Sequence, residues 1–103
     1  MKKTTLLLFL CVSLNTIAEH PLFTKGNTAY ANDSIAKAMT IYDSILASGK
    51  ESSELYYNLG NCYYKNQDWA NAIWHYEKSL QLSTNTKTIE NIALTKLKII
   101  DRI

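Results

Sequence analysis

The sequence repeats itself at a spacing of 34 residues, and the alignment runs without insertions from about residue 20 to residue 84. A repeated block of this length predicts one supersecondary unit that buries its apolar face by stacking on its copy. The matched pairs are Gly26 with Gly60, Asn27 with Asn61, Tyr30 with Tyr64, Ala38 with Ala72, Tyr42 with Tyr76, and Leu46 with Leu80.

Each unit has the pattern of two helices joined by a short polar break. In both halves of the second unit, apolar residues recur at helical spacing. The break there ends at Asp68, which is suited to capping the next helix, and Ser52 is suited to capping the first. In the first unit, Ser34 is the equivalent cap. Gly49 is suited to the left-handed conformation that often ends a helix.

Small residues occupy equivalent places in the two units. Gly26 and Gly60 lie on the first helices, and Ala38 and Ala72 lie on the second. An interior glycine costs a helix about 1 kcal/mol relative to alanine. Its presence at the same place twice therefore predicts that another helix approaches closely there. The tyrosine four residues after each alanine is expected to fill the space between the units.

A fifth helix is predicted after the second unit, with Thr86 or Thr88 as its cap. Its apolar residues are expected to cover the open side of the second unit, as terminal elements of stacked repeats do. The predicted inward face consists of Ile89, Ile92, Ala93, Leu97 and Ile100. Ile99 and Ile103 lie off or beyond that face.

The first residues form a separate segment. Lys2 and Lys3 precede an apolar stretch at residues 6–14, and small residues follow up to Ala18. This pattern is typical of a secretory signal peptide cleaved after Ala18. The alternative, a lipoprotein signal acting through Cys11, would place the bulky Leu10 where a small residue is preferred. The predicted organisation is a signal peptide at 1–18, repeat units at 19–51 and 52–85, and a capping helix at 86–103.

Charge and cysteine content narrow the class of protein. Lys2 and Lys3 are the only charged residues of the first 18, so the mature chain would carry 9 basic and 9 acidic residues. A domain with no net charge lacks the positive electrostatic potential that attracts a phosphate backbone, which argues against a nucleic-acid partner. Cys62 is the only cysteine after residue 18, so the exported domain must be stable without an internal disulfide.

The repeat resembles the tetratricopeptide repeat (TPR) family. The family pattern is an aromatic residue, then Leu-Gly, then Tyr on the first helix, with Ala, an aromatic and Ala on the second. The second unit supplies six of these positions: Tyr56, Leu59, Gly60, Tyr63, Ala72 and Tyr76. Ser79 replaces the last alanine, and Thr84 stands where proline is usual. The resemblance implies an all-α TPR α-solenoid with two helix-turn-helix repeats and a C-terminal capping helix.

A narrower resemblance involves three stretches, "LFTKGNTAY", "SSELYYNLGNCYYK" and "AIWHYEKSLQL". They are similar to the N-terminal repeats of exported aerotolerance (Bat operon, E-type) proteins of Bacteroides-like bacteria. Those proteins are longer and continue into transmembrane helices and an SH3-like domain. The resemblance implies location in the periplasm or cell envelope and a role in oxygen tolerance.

The first helices of a TPR stack line a concave groove where partner peptides usually lie. The residues predicted to line or border this groove are Phe23, Asn27, Tyr30, Tyr57, Asn58, Asn61, Tyr64 and Lys65. Aromatic rings give contact area and amides can bond a peptide backbone, although a merely solvated groove wall is an equally good interpretation of the pattern.

Chaperone-binding TPR domains grip a C-terminal carboxylate with asparagines and basic residues. Asn27 and Asn58 match the two asparagines by spacing. Phe23, Thr88 and Ile92 stand where the basic side chains would be. We therefore predict that the groove does not clamp a carboxylate, since the charge-assisted bonds would be lost.

No pattern favours catalysis. His20 and His75 have no partners at metal-ligand spacing, and no catalytic or phosphate-binding motif is present, so neither a metal nor a cofactor is expected. Cys62 is interpreted as a small packing residue, and the competing hypothesis of a redox-active thiol predicts rapid labelling in the folded state.

The predicted function is a non-catalytic protein–protein interaction module of the bacterial cell envelope, whose partner is a protein or peptide. The alternative is an assembly subunit that associates through its C-terminal helix with itself or with a membrane-bound partner. In that alternative, Ile99 and Ile103 make the contact and the groove is unused.

Overall fold

The computed structural model describes residues 20–102 of the chain. This part contains five helices and no strand, which confirms the all-α prediction of two helical hairpins followed by a closing helix. The helices are α1 (Pro21–Ala31), α2 (Ile35–Ala47), α3 (Ser53–Lys65), α4 (Trp69–Leu82) and α5 (Thr86–Asp101). Consecutive helices pack against each other, so α3 lies between α2 and α4. The predicted signal peptide lies outside the described residues.

Three of the hairpin helices begin at a side-chain cap. His20 precedes α1 and its Nδ1 accepts a hydrogen bond from the N–H of Leu22 at 3.1 Å. Ser52 Oγ accepts from the N–H of Leu55 at 3.0 Å. Asp68 also caps as predicted. Ser34 occupies the cap position of α2, but its side chain makes no capping hydrogen bond. These bonds satisfy N–H groups that the first turn of a helix leaves unpaired.

The prediction for the cap of α5 was wrong by one residue. Asn85, rather than Thr86 or Thr88, precedes the helix. Its Oδ1 accepts from the N–H groups of Lys87 at 2.8 Å and Thr88 at 3.2 Å. An asparagine is at least as good a cap as threonine. Thr88 is therefore free to be buried.

The two hairpin turns have the same backbone conformation. Asp33 and Gln67, which are 34 residues apart, have φ values of 63° and 61°. In each turn the following residue's N–H closes back on the first helix, from Ser34 to the Ala29 carbonyl at 2.8 Å and from Asp68 to the Tyr63 carbonyl at 2.9 Å. Gly49 ends α2 with φ of 91°, as its position predicted.

The glycines mark the closest helix contacts. A Cβ built on Gly26 would lie 2.5 Å from Cε1 of Tyr42, and one built on Gly60 would lie equally close to the ring of Tyr76. The predicted close approach is confirmed. It occurs within each hairpin, because the tyrosine of the second helix seats its ring directly on the glycine of the first.

Ser79 has a structural reason for replacing the usual alanine. It is completely buried, and its hydroxyl donates to the carbonyl oxygen of Ser53 at 2.8 Å. The Ser53 hydroxyl donates to the carbonyl oxygen of Ser79 at 3.0 Å. This reciprocal pair joins the start of α3 to the end of α4, so the buried hydroxyls are satisfied.

The predicted inward face of α5 was wrong except at Ile92, which is half-buried on the stack side. Ile89, Leu97 and Ile100 are 49%, 54% and 61% exposed, whereas Thr88 and Thr95 are completely buried. The buried face follows residues 88, 92, 95 and 99, so Ile99 is half-buried on the stack side. Threonine serves there because its hydroxyl can bond its own helix, as the Thr95 hydroxyl does with the Asn91 carbonyl at 2.6 Å. The apolar residues of α5 mostly face away from the stack.

Candidate functional site

The predicted groove residues gather along α1 and α3. A cavity of about 320 Å³ is lined by Phe23, Asn27, Tyr30, Tyr42, Glu54, Asn58 and Asn61, which include five of the eight residues predicted from the sequence. Tyr57 lies beside it, in a smaller depression of about 210 Å³ that α3 forms with the start of α5. We call this combined surface of α1, α3 and α5 the groove.

Three side chains from three helices meet at the floor of the groove, and we call them the first amide cluster: Asn27, Tyr42 and Asn58. The hydroxyl of Tyr42 donates to Oδ1 of Asn27 at 2.5 Å. Nδ2 of Asn58 donates to the same Oδ1 at 3.0 Å and approaches the Tyr42 hydroxyl at 3.4 Å. The cluster thus joins the first unit to the second through hydrogen bonds.

The arrangement recurs one unit later as the second amide cluster, which consists of Tyr57, Asn61, Tyr76 and Asn91. The hydroxyl of Tyr76 donates to Oδ1 of Asn61 at 2.6 Å. Nδ2 of Asn91 donates to the Tyr57 hydroxyl at 3.2 Å and to Oδ1 of Asn61 at 3.4 Å. This cluster joins the second unit to α5.

Both central tyrosines remain protonated at ordinary pH. Burial raises the pKa of Tyr42 to about 12, and burial raises the pKa of Tyr76 further. A neutral hydroxyl stays a hydrogen-bond donor, so it requires the oxygen of the facing asparagine amide. The tyrosines therefore fix which way the amides of Asn27 and Asn61 are turned.

The fixed orientation leaves one amide group of each asparagine available. Among residues 20–102, Nδ2 of Asn27 and of Asn61 has no hydrogen-bond partner, nor has Oδ1 of Asn58 or of Asn91. The groove therefore offers two donors and two acceptors, which lie on α1, α3 and α5. A peptide backbone carries one donor and one acceptor per residue and can bond to both kinds.

Two predicted groove aromatics form the floor rather than free walls. Phe23 is 6% exposed, and its ring lies 6.0 Å from that of Tyr42. Tyr57 is half-buried with its ring 5.8 Å from that of Tyr76. Each ring therefore supports a central tyrosine. This packing role differs from both interpretations of the sequence pattern, direct partner contact and a solvated groove wall.

The remaining predicted residues lie at the other end of α1 and α3. Lys65 Nζ is 3.9 Å from Oδ1 of Asp33 and 5.9 Å from the ring centre of Tyr30. Tyr64 packs edge-on against the Trp69 indole, with ring centres 5.1 Å apart. Tyr64 and Lys65 do not line the cavity. The ion pair is exposed, and such pairs contribute little to stability.

The groove residues that sequence reasoning missed are Tyr42 and Glu54, which line the cavity, and Asn91, which bonds to Tyr57 and Asn61. Asn91 lies beyond residue 84, where the predicted repeat alignment ends, and Thr88 and Ile92 are the only α5 residues that the sequence analysis related to groove positions. The available signal was that Asn91 lies 34 residues after Tyr57, on the same repeat register. Extending the repeat comparison beyond residue 84 would have placed it in the groove.

The other reactive side chains have structural environments. Cys62 is completely buried, and its burial together with the negative charge of Asp43 raises its pKa to about 11, which disfavours the reactive thiolate. His75 stacks on Tyr63 at 4.7 Å and bonds to the Asn71 carbonyl through Nδ1. The described residues contain no group of potential metal ligands. Within them no helix is long and apolar enough to cross a bilayer.

Comparison with known proteins identifies one of the two units. The tetratricopeptide repeat family matches residues 53–85, so the chain carries a TPR repeat formed by α3 and α4. This confirms the family resemblance of the second unit. No curated protein matches the chain. TPR repeats generally mediate protein–protein interaction.

Proposed function

We propose that the chain is a non-catalytic binding module that holds an extended segment of a partner protein in its groove. The observation that carries this proposal is the orientation of four asparagine amides, whose available donors lie on Asn27 and Asn61 and whose available acceptors lie on Asn58 and Asn91. An extended backbone presents N–H and C=O groups at regular intervals and can use both kinds.

The groove also favours certain side chains of the bound segment. The cavity over the first amide cluster combines the Phe23 ring with amides, and the exposed Glu54 carboxylate stands at its edge. A bound segment with an apolar side chain followed by a basic one would fit, because the apolar side chain could contact the Phe23 ring and the basic one could pair with Glu54. Each neutral hydrogen bond contributes only about 0.5–1.5 kcal/mol net. A groove with four amides therefore supports modest affinity.

The test begins with selecting peptides from a displayed random library against the full chain and measuring their affinity by calorimetry. N-methylation of backbone amides in a selected peptide should weaken binding about tenfold at the positions that meet Asn58 or Asn91, because the donor is removed. Peptides that bind equally well when methylated throughout would contradict the proposal.

A matched pair of variants tests the protein side. Asn27→Asp with Asn61→Asp keeps the acceptor oxygens for Tyr42 and Tyr76 but removes the available donors, so peptide affinity should fall while the helical fold persists. Gln81→Glu makes the same amide-to-carboxylate change at an exposed position of α4 outside the groove, and should leave affinity unchanged. Equal effects of the two changes would indicate a general charge effect.

The groove is not expected to recognise a chain terminus. Phe23 and Thr88 are buried and uncharged, and Ile92 is half-buried, so the positions that hold cations in carboxylate-clamp domains supply none here. Amidating the C-terminus of a selected peptide should change its affinity less than twofold. A loss of about tenfold or more would reveal a clamp built from other residues.

For its location, we propose export to the periplasm or cell envelope, directed by residues 1–18. The basic start and apolar stretch of that segment support this. Mass spectrometry of the protein from a periplasmic fraction should show a chain beginning at Glu19. Recovery of the intact chain from the cytoplasm alone would contradict export.

The process we propose is oxygen tolerance, on the basis of the three stretches that resemble exported aerotolerance proteins. Deleting the gene in its native host should reduce survival in air, and the wild-type chain should restore it. A chain carrying Asn27→Asp with Asn61→Asp should fail to do so if the groove acts in that process. Unchanged survival of the deletion strain in air would contradict a role in oxygen tolerance.

A further inference from the structure

One face of α5 has no neighbour among the residues that the structure describes. Its centre is Ala93, Leu94 and Leu97, of which the two leucines are 53% and 54% exposed. The positions 34 residues earlier are Leu59, Gly60 and Tyr63, and α4 covers them: Tyr76 rests on Gly60, and His75 stacks on Tyr63. The repeat therefore shows that a helix belongs on this face of α5.

The residue types exclude a covering helix of the same kind as α4. Gly60 provides the notch that receives the Tyr76 ring, and a Cβ there would already lie 2.5 Å from that ring. Leu94 fills the equivalent position with a branched side chain. The helix that covers this face must therefore pack against the leucine side chains of α5. A helix with its own row of apolar side chains and no protruding tyrosine can do so.

The charges on this face have opposite signs at equal distances before and after Leu94. Counting outward from Leu94, a glutamate lies four residues before it and a lysine four residues after it, at Glu90 and Lys98. Seven residues before and after it lie Lys87 and Asp101. All four charged side chains are exposed. Positions three, four and seven residues apart share one side of a helix, so these five residues form a single stripe.

A second α5 laid antiparallel across the first, with the two Leu94 residues opposite each other, pairs every charge with its opposite. Glu90 then faces Lys98 of the second copy, and Lys87 faces Asp101 of the second copy. Each pair occurs twice because of the two-fold symmetry. Such complementarity specifies both the partner and the register of the contact.

The opposite end of the stack cannot serve as the partner surface. The exposed face of α1 there carries Thr24, Lys25 and Thr28, which are polar. A head-to-tail contact would place these residues against Leu94 and Leu97 of the next copy. The apolar end matches only itself, which favours a closed pair over an open filament.

We propose that two copies of this chain associate tail to tail through antiparallel packing of their α5 helices, centred on Leu94. This self-association is independent of peptide binding in the groove. The contact joins two helices only and buries on the order of 1,000 Å², at the low end for specific interfaces. We expect a reversible dimer with micromolar affinity.

Sedimentation equilibrium of the full chain at concentrations up to about 100 µM tests the proposal, because an interface of this size should be populated there. Two charge variants carry the decisive comparison. Glu90→Lys with Asp101→Lys makes the stripe entirely basic, and Lys87→Glu with Lys98→Glu makes it entirely acidic. Each variant alone should dimerise about tenfold more weakly or worse, because all four pairs become repulsive. An equimolar mixture should regain at least the wild-type affinity.

Lys96→Glu is the matched control, since Lys96 is an exposed charge of α5 that lies off the stripe. It should leave the wild-type affinity within about twofold. Circular dichroism confirms that the variants fold. A wild-type chain that is monomeric throughout the concentration range would overturn the proposal. So would charge variants that associate as well as the wild type, or a mixture that gains nothing over its components.

Discussion

The two amide clusters share an asparagine–tyrosine pair and differ in the supporting ring and in the repeat position that supplies the bridging amide. The first cluster rests on Phe23 and the second on Tyr57, which is the equivalent residue 34 positions later. The Tyr57 hydroxyl accepts a hydrogen bond from Asn91 at 3.2 Å. Phe23 cannot accept one. In both clusters the bridging amide also donates to the paired asparagine, from Asn58 to Oδ1 of Asn27 at 3.0 Å and from Asn91 to Oδ1 of Asn61 at 3.4 Å.

The cavity of the groove lies at the first amide cluster, whose supporting ring lacks the hydroxyl. The cavity of about 320 Å³ is lined by all three members of the first amide cluster, whereas Asn61 is the only member of the second among its lining residues. The repeat keeps the asparagine–tyrosine pair that joins its helices. It varies the supporting ring, and the cavity lies beside the unit whose ring is Phe23.

The largest expected effect tests the shared scaffold. Replacing either central tyrosine, as in Tyr42→Ala or Tyr76→Ala, should lower the free energy of unfolding by about 3–5 kcal/mol, because each is at most 1% exposed and leaves a large void. Urea denaturation followed by circular dichroism measures the loss. Trp74→Ala, at a residue that is 54% exposed, should cost far less. Similar losses for all three variants would contradict the packing described for the tyrosines.

Alkaline pH should destabilise the protein through the same tyrosines. The folded pKa of Tyr42 is about 12 against an ordinary value of 10.0, so folding favours the protonated hydroxyl. Its contribution to stability is complete below about pH 10 and is lost as the pH rises towards 12, on the order of 2–3 kcal/mol in total. Tyr42→Phe should flatten the decline of stability over this range, and Tyr76→Phe should do likewise. Identical pH profiles for wild type and variants would show that these hydroxyls are not held protonated.

The glycine contacts provide a smaller, paired test. Gly26→Ala and Gly60→Ala should each lower the free energy of unfolding by about 1–2 kcal/mol, because pushing the tyrosine ring aside outweighs the gain in helix propensity. Thr28→Ala, at an exposed position of α1, should be neutral or slightly stabilising. Thermal denaturation distinguishes these outcomes. Stabilisation by either glycine replacement would mean that the rings can move away freely.

The smallest effect addresses the difference between the clusters directly. Tyr57→Phe removes the hydroxyl that accepts from Asn91 and should cost about 0.5–1.5 kcal/mol. Phe23→Tyr adds the equivalent hydroxyl to the first cluster, in the cavity that Asn58 also lines. The added hydroxyl should weaken peptide binding because it partly fills that cavity. Calorimetry with a selected peptide measures the second effect. An unchanged peptide affinity of the Phe23→Tyr variant would show that the cavity takes no part in peptide binding.

Much of the fold could be predicted because helix pairs follow directly from the repeat. The glycine positions predicted the closest helix contacts, and Ser52 and Asp68 predicted two helix starts. The tyrosines were expected between the units, but each ring packs on the glycine of its own hairpin. The face of α5 could not be predicted by hydrophobicity, because two buried threonines occupy the stack side and the leucines face outward. Among residues 20–102, α5 packs mainly against α4, so the apolar residues of α5 do not indicate which of its sides faces the stack.

The placement of the groove asparagines could be predicted from the sequence, but the orientation of their side-chain amides could not. Asn27, Asn58 and Asn61 line the cavity as predicted. Their side-chain orientation depends on Tyr42 and Tyr76, which are distant in sequence and were assigned only a packing role. A hydrogen bond between residues 15 positions apart, on different helices, follows from the three-dimensional fold.

The central claim is that tyrosine-held asparagine amides receive the backbone of a bound segment. The most direct measurement follows the side-chain amide resonances of the asparagines by NMR during titration with a selected peptide. The account predicts that the Nδ2 protons of Asn27 and Asn61 shift strongly and become protected from solvent exchange, while those of the exposed Asn32 do not. Saturating binding that leaves the Asn27 and Asn61 resonances unmoved would contradict it.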